Sequence, residues 1–333
     1  MDFNFLISIL YHVFMKNRLE YLDVLRGAAV ILVIFGHSLQ SSFVEYPKLP
    51  LYHLIYSIHV PLFVFVSGYL YRFQLKKKIN NFITNRFKRL FIPYLIWMSV
   101  IALVLRDALV TSNILHFLAR GILLPQTPWF LYILFFSSCV TFIILKSKSR
   151  AIYLVFILIV LIINMLKTKF INNEYMLSIS SILHYSLIQF CGFLFEKFRK
   201  TAYKFSILIS SVLFVSVYFL NNFEFLNLSY FYPFKLLTTF SLIYISFYAV
   251  VNLKLLSKNK YLVWCGQRAL QLYVVHYLFI VFIPYKNSSL IVLLISFIAI
   301  TGASVLLIKL FEMISATNQF FRAFYQRVFG IIP

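Results

Sequence analysis

The chain has 333 residues, of which 62% are hydrophobic, 20% aromatic and only 12% charged, and its mean hydropathy is +0.89. Soluble globular domains carry about 25% charged residues, so this composition excludes that class and indicates a polytopic membrane protein. A net charge of +22 would also suit a nucleic-acid-binding protein, and the positions of the basic residues decide between the two interpretations.

The predicted elements are helices throughout, so the expected fold is an all-α transmembrane bundle. Residues 3–14 are apolar but too short to span a bilayer, and we expect residues 1–21 to form an interfacial segment rather than a cleaved signal peptide. A spanning helix needs about 17 to 25 apolar residues. On that basis the sequence predicts about ten spans, near residues 22–40, 51–71, 90–110, 129–145, 151–166, 177–195, 203–220, 234–253, 269–284 and 288–308. Residues 311–333 are predicted to form an amphipathic cytoplasmic tail, and residues 1–333 to form a single domain.

The basic residues indicate the orientation of these spans. If the N-terminus is cytoplasmic, most of the 31 lysines and arginines fall in inner segments, including the cluster between Arg72 and Arg89. This is the positive-inside bias expected when both ends of the chain are cytoplasmic. The charge therefore reports topology, and we expect no nucleic-acid partner.

The three cysteines, Cys139, Cys191 and Cys265, are isolated along the chain. They form no Cys-x-x-Cys pair and no Cys/His spacing typical of zinc ligands. We therefore expect neither a disulfide framework nor a bound metal.

The first span carries polar side chains along one face. His37 follows Arg26 by eleven positions, which places the two side chains within about 20° of each other around a helix and about 16 Å apart along its axis. Asp23 and Gln40 fall on the same face. Because such groups are costly in lipid, they usually face a watery cavity and indicate a functional site. The alternative is a buried polar pair that only fixes helix packing.

Five ordered segments carry a resemblance to a known family. The first contains Arg26, ten further residues and His37; the others are 58–70 with His59, 86–94 with Arg86 and Arg89, 128–131 with Trp129, and 267–276 with His276. In this order they resemble the acyltransferase 3 family of membrane acyltransferases, and within it the sugar O-acetylases of the fucose 4-O-acetylase type. The stretch 266–270 departs from the Gly-x-x-Ser-Leu of many relatives.

The resemblance implies transfer of an acetyl group from cytoplasmic acetyl-CoA to a hydroxyl of a surface polysaccharide, in a bacterial inner membrane. Arg86, Lys88 and Arg89, with Arg26, are then the candidates for the CoA phosphates, because arginine can bind phosphate oxygens bidentately.

The same resemblance implies that His37 acts as a general base on the acceptor hydroxyl, since an unperturbed imidazole titrates near neutral pH. A transient acetyl-His37 is the alternative route.

The remaining site residues have weaker assignments. Asp23 is expected to support the site by pairing with Arg26, and His59 is either a catalytic support or a packing residue. Trp129, Gln40 and His276 are candidates for contact with the sugar, although Trp129 would also suit an aromatic belt and His276 would suit helix packing.

A transporter or flippase of lipid-linked sugar is the alternative function. Intramembrane arginine, aspartate and histidine residues would suit it equally. Transporters commonly contain internal repeats, and the sequence has none that we detect. Turnover of acetyl-CoA would distinguish the enzyme from the transporter.

Overall fold

A computed structural model describes residues 20–104, 114–167, 172–198, 211, 232–253, 256, 259–280 and 289–331. Throughout these ranges the regular structure is helical, and no strand occurs. Most of the predicted interfacial segment 1–21 lies outside the described residues. So does the helix predicted near 203–220, apart from residue 211.

The described part of the chain contains the following α-helices, numbered in chain order. They are α1 (Glu20–Ser42), α2 (Pro50–Tyr69), α3 (Ile79–Arg86), α4 (Ile92–Val104), α5 (Ile114–Leu123), α6 (Trp129–Ser147), α7 (Arg150–Met165), α8 (Glu174–Phe198), α9 (Tyr232–Asn252), α10 (Lys260–Gln267), α11 (Ala269–Val275), α12 (Tyr277–Ile280), α13 (Leu290–Thr317) and α14 (Gln319–Val328). Two 3₁₀ turns, Tyr46–Lys48 and Leu70–Phe73, precede and extend α2, and a π turn, Phe87–Phe91, joins α3 to α4.

Seven helical stretches in the described ranges are long and apolar enough to cross a membrane, which makes this a multi-pass membrane protein. They are Glu20–Ser42, Pro50–Phe73, Ile79–Val104, Trp129–Ser147, Glu174–Phe195, Lys235–Asn252 and Leu290–Thr317. Two shorter apolar stretches, Arg150–Met165 and Ala269–Ile280, match the predicted spans 151–166 and 269–284. The all-α, multi-pass fold is confirmed, whereas the total of about ten spans and the cytoplasmic location of both termini stay predictions.

Two span boundaries differ from prediction. The third helical stretch begins at Ile79 rather than near residue 90, because the basic segment before the apolar run is itself helical and continues into α4 through the π turn. The last stretch continues to Thr317, well past the predicted end at 308. The amphipathic helix α14 therefore starts at Gln319, after a bend at Asn318 whose side chain accepts from the Phe320 backbone N–H.

Helix α1 occupies the centre of the bundle, where α2, α10, α11 and α13 all pack against it. Its closest approach is to α10. A Cβ atom at Gly266 would overlap the backbone carbonyl of Asp23, and one at Gly27 would overlap the carbonyl of Leu262. Glycines at such positions let helix backbones approach closely within membranes. This contact fixes the Asp23–Gly27 end of α1 against α10.

We predict that Gly266→Ala lowers the stability of the purified protein in detergent. The added methyl group must push α10 away from α1, and overpacking of this kind costs about 1 to 3 kcal/mol. Gly302→Ala on α13 is the matched control, because no described atom lies within 4 Å of a Cβ placed there. Thermal unfolding should show a lower midpoint for Gly266→Ala alone. Equal midpoints for both variants would contradict this packing.

Candidate active site

His37 lies where α1 meets the break between α11 and α12. It is partly buried, and its Nε2 atom lies 3.4 Å from the hydroxyl of Tyr277. The His37 ring centroid is 5.3 Å from that of His276 and 5.3 Å from that of Tyr277. Residue 276 is the junction between α11 and α12. Breaks in spanning helices are tolerated where neighbouring groups or a cavity satisfy the backbone, and this break directs two polar aromatic side chains at His37.

Helix α2 contributes a third histidine. The Nδ1 atom of His59 lies 2.6 Å from the carbonyl oxygen of Ile55, and its ring packs edge-on against Tyr56 at 4.7 Å. Both His59 and His276 lie within electrostatic range of His37. The structure therefore brings together the three histidines that were predicted from three separate sequence segments.

Gln40 lies about one turn beyond His37, at the rim of this cluster. Its Oε1 atom accepts a hydrogen bond of 3.0 Å from the Tyr56 hydroxyl, and its Nε2 atom donates to the Tyr46 hydroxyl at 3.4 Å. The hydroxyls of Tyr46, before α2, and of Tyr56, in α2, thus hold the Gln40 amide beside the histidines. The predicted contact between Gln40 and the acceptor sugar is compatible with this geometry.

Trp129 reaches the cluster only through its neighbours. The backbone N–H of Phe130 donates to the Tyr273 hydroxyl at 3.2 Å, and the two rings pack at 5.4 Å. Tyr273 in turn packs against His276 at 5.9 Å. The Trp129 ring is partly buried and lies 6.4 Å from that of Tyr185. Trp129 is therefore connected to the cluster through Phe130 and Tyr273, and the described ring contacts do not bring it to His37.

Asp23 and Arg26 form an ion pair at the opposite end of α1. An Arg26 Nη1 atom donates to Asp23 Oδ1 at 3.4 Å, and the Asp23 side chain is 3% exposed. His37 follows Asp23 by fourteen helical positions, which is about 21 Å along the axis. The structure does not bring Asp23 to His37, and it places the aspartate as the partner of Arg26.

Arg86 ends α3, and Arg89 lies in the π turn, Phe87–Phe91, that begins directly after it. Arg89 lies within electrostatic range of Arg86. Arg86 is half-buried and Arg89 is exposed, as is Lys88. In the described ranges neither arginine forms an ion pair with a carboxylate.

Arg86 is held in place by its surroundings. Its Nη2 atom donates to Gln74 Oε1 at 3.4 Å, and the guanidinium lies over the Phe82 ring at 5.1 Å. It also lies 6.0 Å from the centroid of Tyr71, whose hydroxyl donates to Gln189 Oε1 at 2.8 Å. A fixed cation with no described acidic partner is suited to binding an anion.

The departure of residues 266–270 from the Gly-x-x-Ser-Leu of many relatives has a structural explanation in the contacts of Arg268. Arg268 Nε donates to Glu312 Oε1 at 2.7 Å, and the guanidinium lies over Trp264 at 4.6 Å. The Tyr325 hydroxyl donates to the same carboxylate oxygen at 3.4 Å. Burial raises the pKa of Tyr325 to about 12, so its hydroxyl remains protonated at neutral pH. Arg268, at the junction of α10 and α11, thus connects these helices to α13 through Glu312 and to α14 through Tyr325.

Sequence reasoning missed Tyr273 and Tyr277. Their spacing relative to His276 places all three on one helical face, which is a signal the sequence does contain. Among the residues the structure describes, no three histidine, cysteine or acidic side chains are arranged to share a metal ion.

A family model described as an acyltransferase domain matches residues 19–312. The chain belongs to the acyltransferase 3 family. The resemblance predicted from five segments is thereby confirmed, and the protein is a membrane acyltransferase by family.

Two curated relatives are both named nodulation protein NolL. The one from Sinorhizobium fredii (strain NBRC 101917 / NGR234) is 30% identical over 195 residues, which cover 55% of this chain and 50% of the relative. The one from Mesorhizobium japonicum (strain LMG 29417 / CECT 9101 / MAFF 303099) is 27% identical over 193 residues, covering 55% and 49%. The chain thus spans about half the length of the curated relatives it matches. No solved structure matches it.

Proposed function

We propose that this protein is an O-acetyltransferase of a bacterial inner membrane. It moves an acetyl group from cytoplasmic acetyl-CoA to a hydroxyl of a surface polysaccharide such as an O-antigen, capsule or exopolysaccharide. The observation that carries this proposal is the convergence of His37, His59, His276 and Tyr277 from three parts of the chain at one end of α1. Family membership supplies the acyl-transfer chemistry for that cluster.

The donor is proposed to bind at the opposite, basic end of the bundle. Arg86 is fixed by Gln74 and Phe82, and Lys88 and Arg89 are exposed beside it. Charge-assisted contacts between arginine and phosphate oxygens are among the stronger hydrogen bonds in proteins. Arg26, at the inner end of the polar face, supplies a further cation between this surface and His37.

Transfer is proposed to proceed by general-base catalysis. As the acceptor oxygen bonds to the acetyl carbonyl carbon, its proton passes to His37; the carbon–sulfur bond then breaks, and the CoA sulfur takes that proton. In the alternative route His37 carries the acetyl group before passing it to the acceptor. His59 supports His37 in both routes, while Gln40, Trp129 and His276 contact the acceptor sugar.

The transporter hypothesis has weaker support. The family assignment implies chemistry, and a flippase does not need a cluster of histidines beside a basic donor surface. We therefore expect the partners to be acetyl-CoA, a glycan or lipid-linked sugar, and membrane lipids, with no nucleic acid and no metal.

We predict that His37→Ala abolishes acetyl transfer, because the acceptor hydroxyl loses its base. General-base catalysis typically contributes about 10²- to 10⁴-fold. His53→Ala is the matched control, since His53 is an exposed histidine on α2 and should leave activity unchanged. CoA thiol release and NMR of the glycan measure the activity, and a membrane-fraction blot checks insertion. Normal acetylation by His37→Ala would remove the catalytic core of the proposal.

We further predict that Arg86→Ala and Arg89→Ala weaken acetyl-CoA binding, each by about 1.5 to 3 kcal/mol for a lost charge-assisted contact. Arg86→Lys should recover only part of the loss, because lysine lacks the bidentate fork. Lys77→Ala, an exposed basic residue of the preceding loop, is the control. Calorimetry with a non-hydrolysable acetyl-CoA analogue measures the affinity. Unchanged affinity in the double alanine variant would mean that these arginines only set topology.

A further inference from the structure

His276 presents one unused nitrogen inside the cluster. Its Nδ1 atom lies 3.1 Å from the carbonyl oxygen of Leu272, one helical turn earlier. A carbonyl oxygen can only accept, so Nδ1 must carry the proton. The Nε2 atom of the same ring has no hydrogen-bond partner among the described residues, although the side chain is 0% exposed.

The neutral form of this ring makes Nε2 a hydrogen-bond acceptor. A buried imidazolium is costly unless a carboxylate pairs with it, and no ion pair to His276 occurs in the described part of the chain. With the proton on Nδ1, the lone pair is on Nε2. A fully buried acceptor without a donor costs about 1 to 3 kcal/mol, so a ligand hydroxyl that donates to it is favoured.

The position of this nitrogen defines the geometry of the ligand. The His276 ring is 5.3 Å from His37 and 4.4 Å from Tyr277, measured between centroids. The Tyr277 hydroxyl lies 3.4 Å from His37 Nε2, which is longer than a strong hydrogen bond. The ring that carries the accepting nitrogen of His276 therefore lies directly beside His37.

We infer that the acceptor is a sugar with two adjacent hydroxyls, of which one reacts at His37 while its neighbour donates a hydrogen bond to Nε2 of His276. This inference rests on the proposed acetyl transfer and adds a substrate class to it. His276 acts as a specificity-determining residue that orients the diol. The reacting oxygen is held at His37 because its neighbour is already bound.

The test compares acceptors that differ by a single hydroxyl. Methyl glucoside, methyl galactoside and methyl mannoside serve as parent acceptors, and NMR of each product identifies the acetylated position. Monodeoxy derivatives then lack either the hydroxyl next to that position or a distant one. The wild-type protein, His276→Leu and His276→Gln are assayed with each pair, and kcat/KM is measured by CoA release.

We expect loss of the adjacent hydroxyl to lower kcat/KM of the wild-type protein by about 5- to 150-fold, which is the cost of leaving a buried group unpaired. Loss of a distant hydroxyl should have a much smaller effect. His276→Leu should react equally with the parent and the adjacent-deoxy sugar. His276→Gln should restore part of the discrimination, because its side-chain amide oxygen can accept near the same position.

Two results would overturn the diol inference and leave the proposed acetyl transfer intact. One is an equal rate for the parent and the adjacent-deoxy sugar in the wild-type protein. The other is unchanged discrimination between these sugars in His276→Leu. The Nε2 atom of His276 would then be paired with a water molecule or would remain unpaired among packed side chains. Absence of transfer to every parent sugar by the wild-type protein would overturn the proposed function, and this inference with it.

Discussion

The high cost of exposing polar side chains to lipid is the constraint that organises this molecule. Helix α1 carries Asp23, Arg26, His37 and Gln40 through an otherwise apolar sequence, so other helices must enclose that face. Helices α2, α10, α11 and α13 do so. The glycine contact between α1 and α10 and the ion pair between Arg268 and Glu312 hold the enclosing helices in place. The histidine cluster exists because these helices converge on one polar face.

Much of the fold follows from the sequence because bilayer thickness sets helix length. The span predicted at 22–40 is Glu20–Ser42 in the structure, and that predicted at 129–145 is Trp129–Ser147. Hydropathy alone misses the boundary where a helix continues beyond the apolar run, as it does in the polar segment from Ile79 to Arg86 and after residue 308.

The site was only partly predictable for a different reason. The eleven-residue spacing from Arg26 to His37 is a property of one helix and can be read directly. The meeting of His37 with His276 and Tyr277 depends on tertiary packing between residues 240 positions apart, which a single sequence does not encode visibly. The π turn that begins after Arg86 likewise has no sequence signal that we recognise.

The proposed acetyl transfer requires one chemical path across the membrane, with the donor at the basic end of the bundle and the acceptor at the histidine end. Sealed proteoliposomes containing the purified protein test this most directly, with labelled acetyl-CoA and a membrane-impermeant oligosaccharide acceptor placed on the same or on opposite sides. Because each inserted molecule needs its two substrates on opposite faces, transfer should occur only in the opposite-side arrangement, whichever way the protein inserts. Efficient transfer in intact vesicles with both substrates on the same side would contradict it.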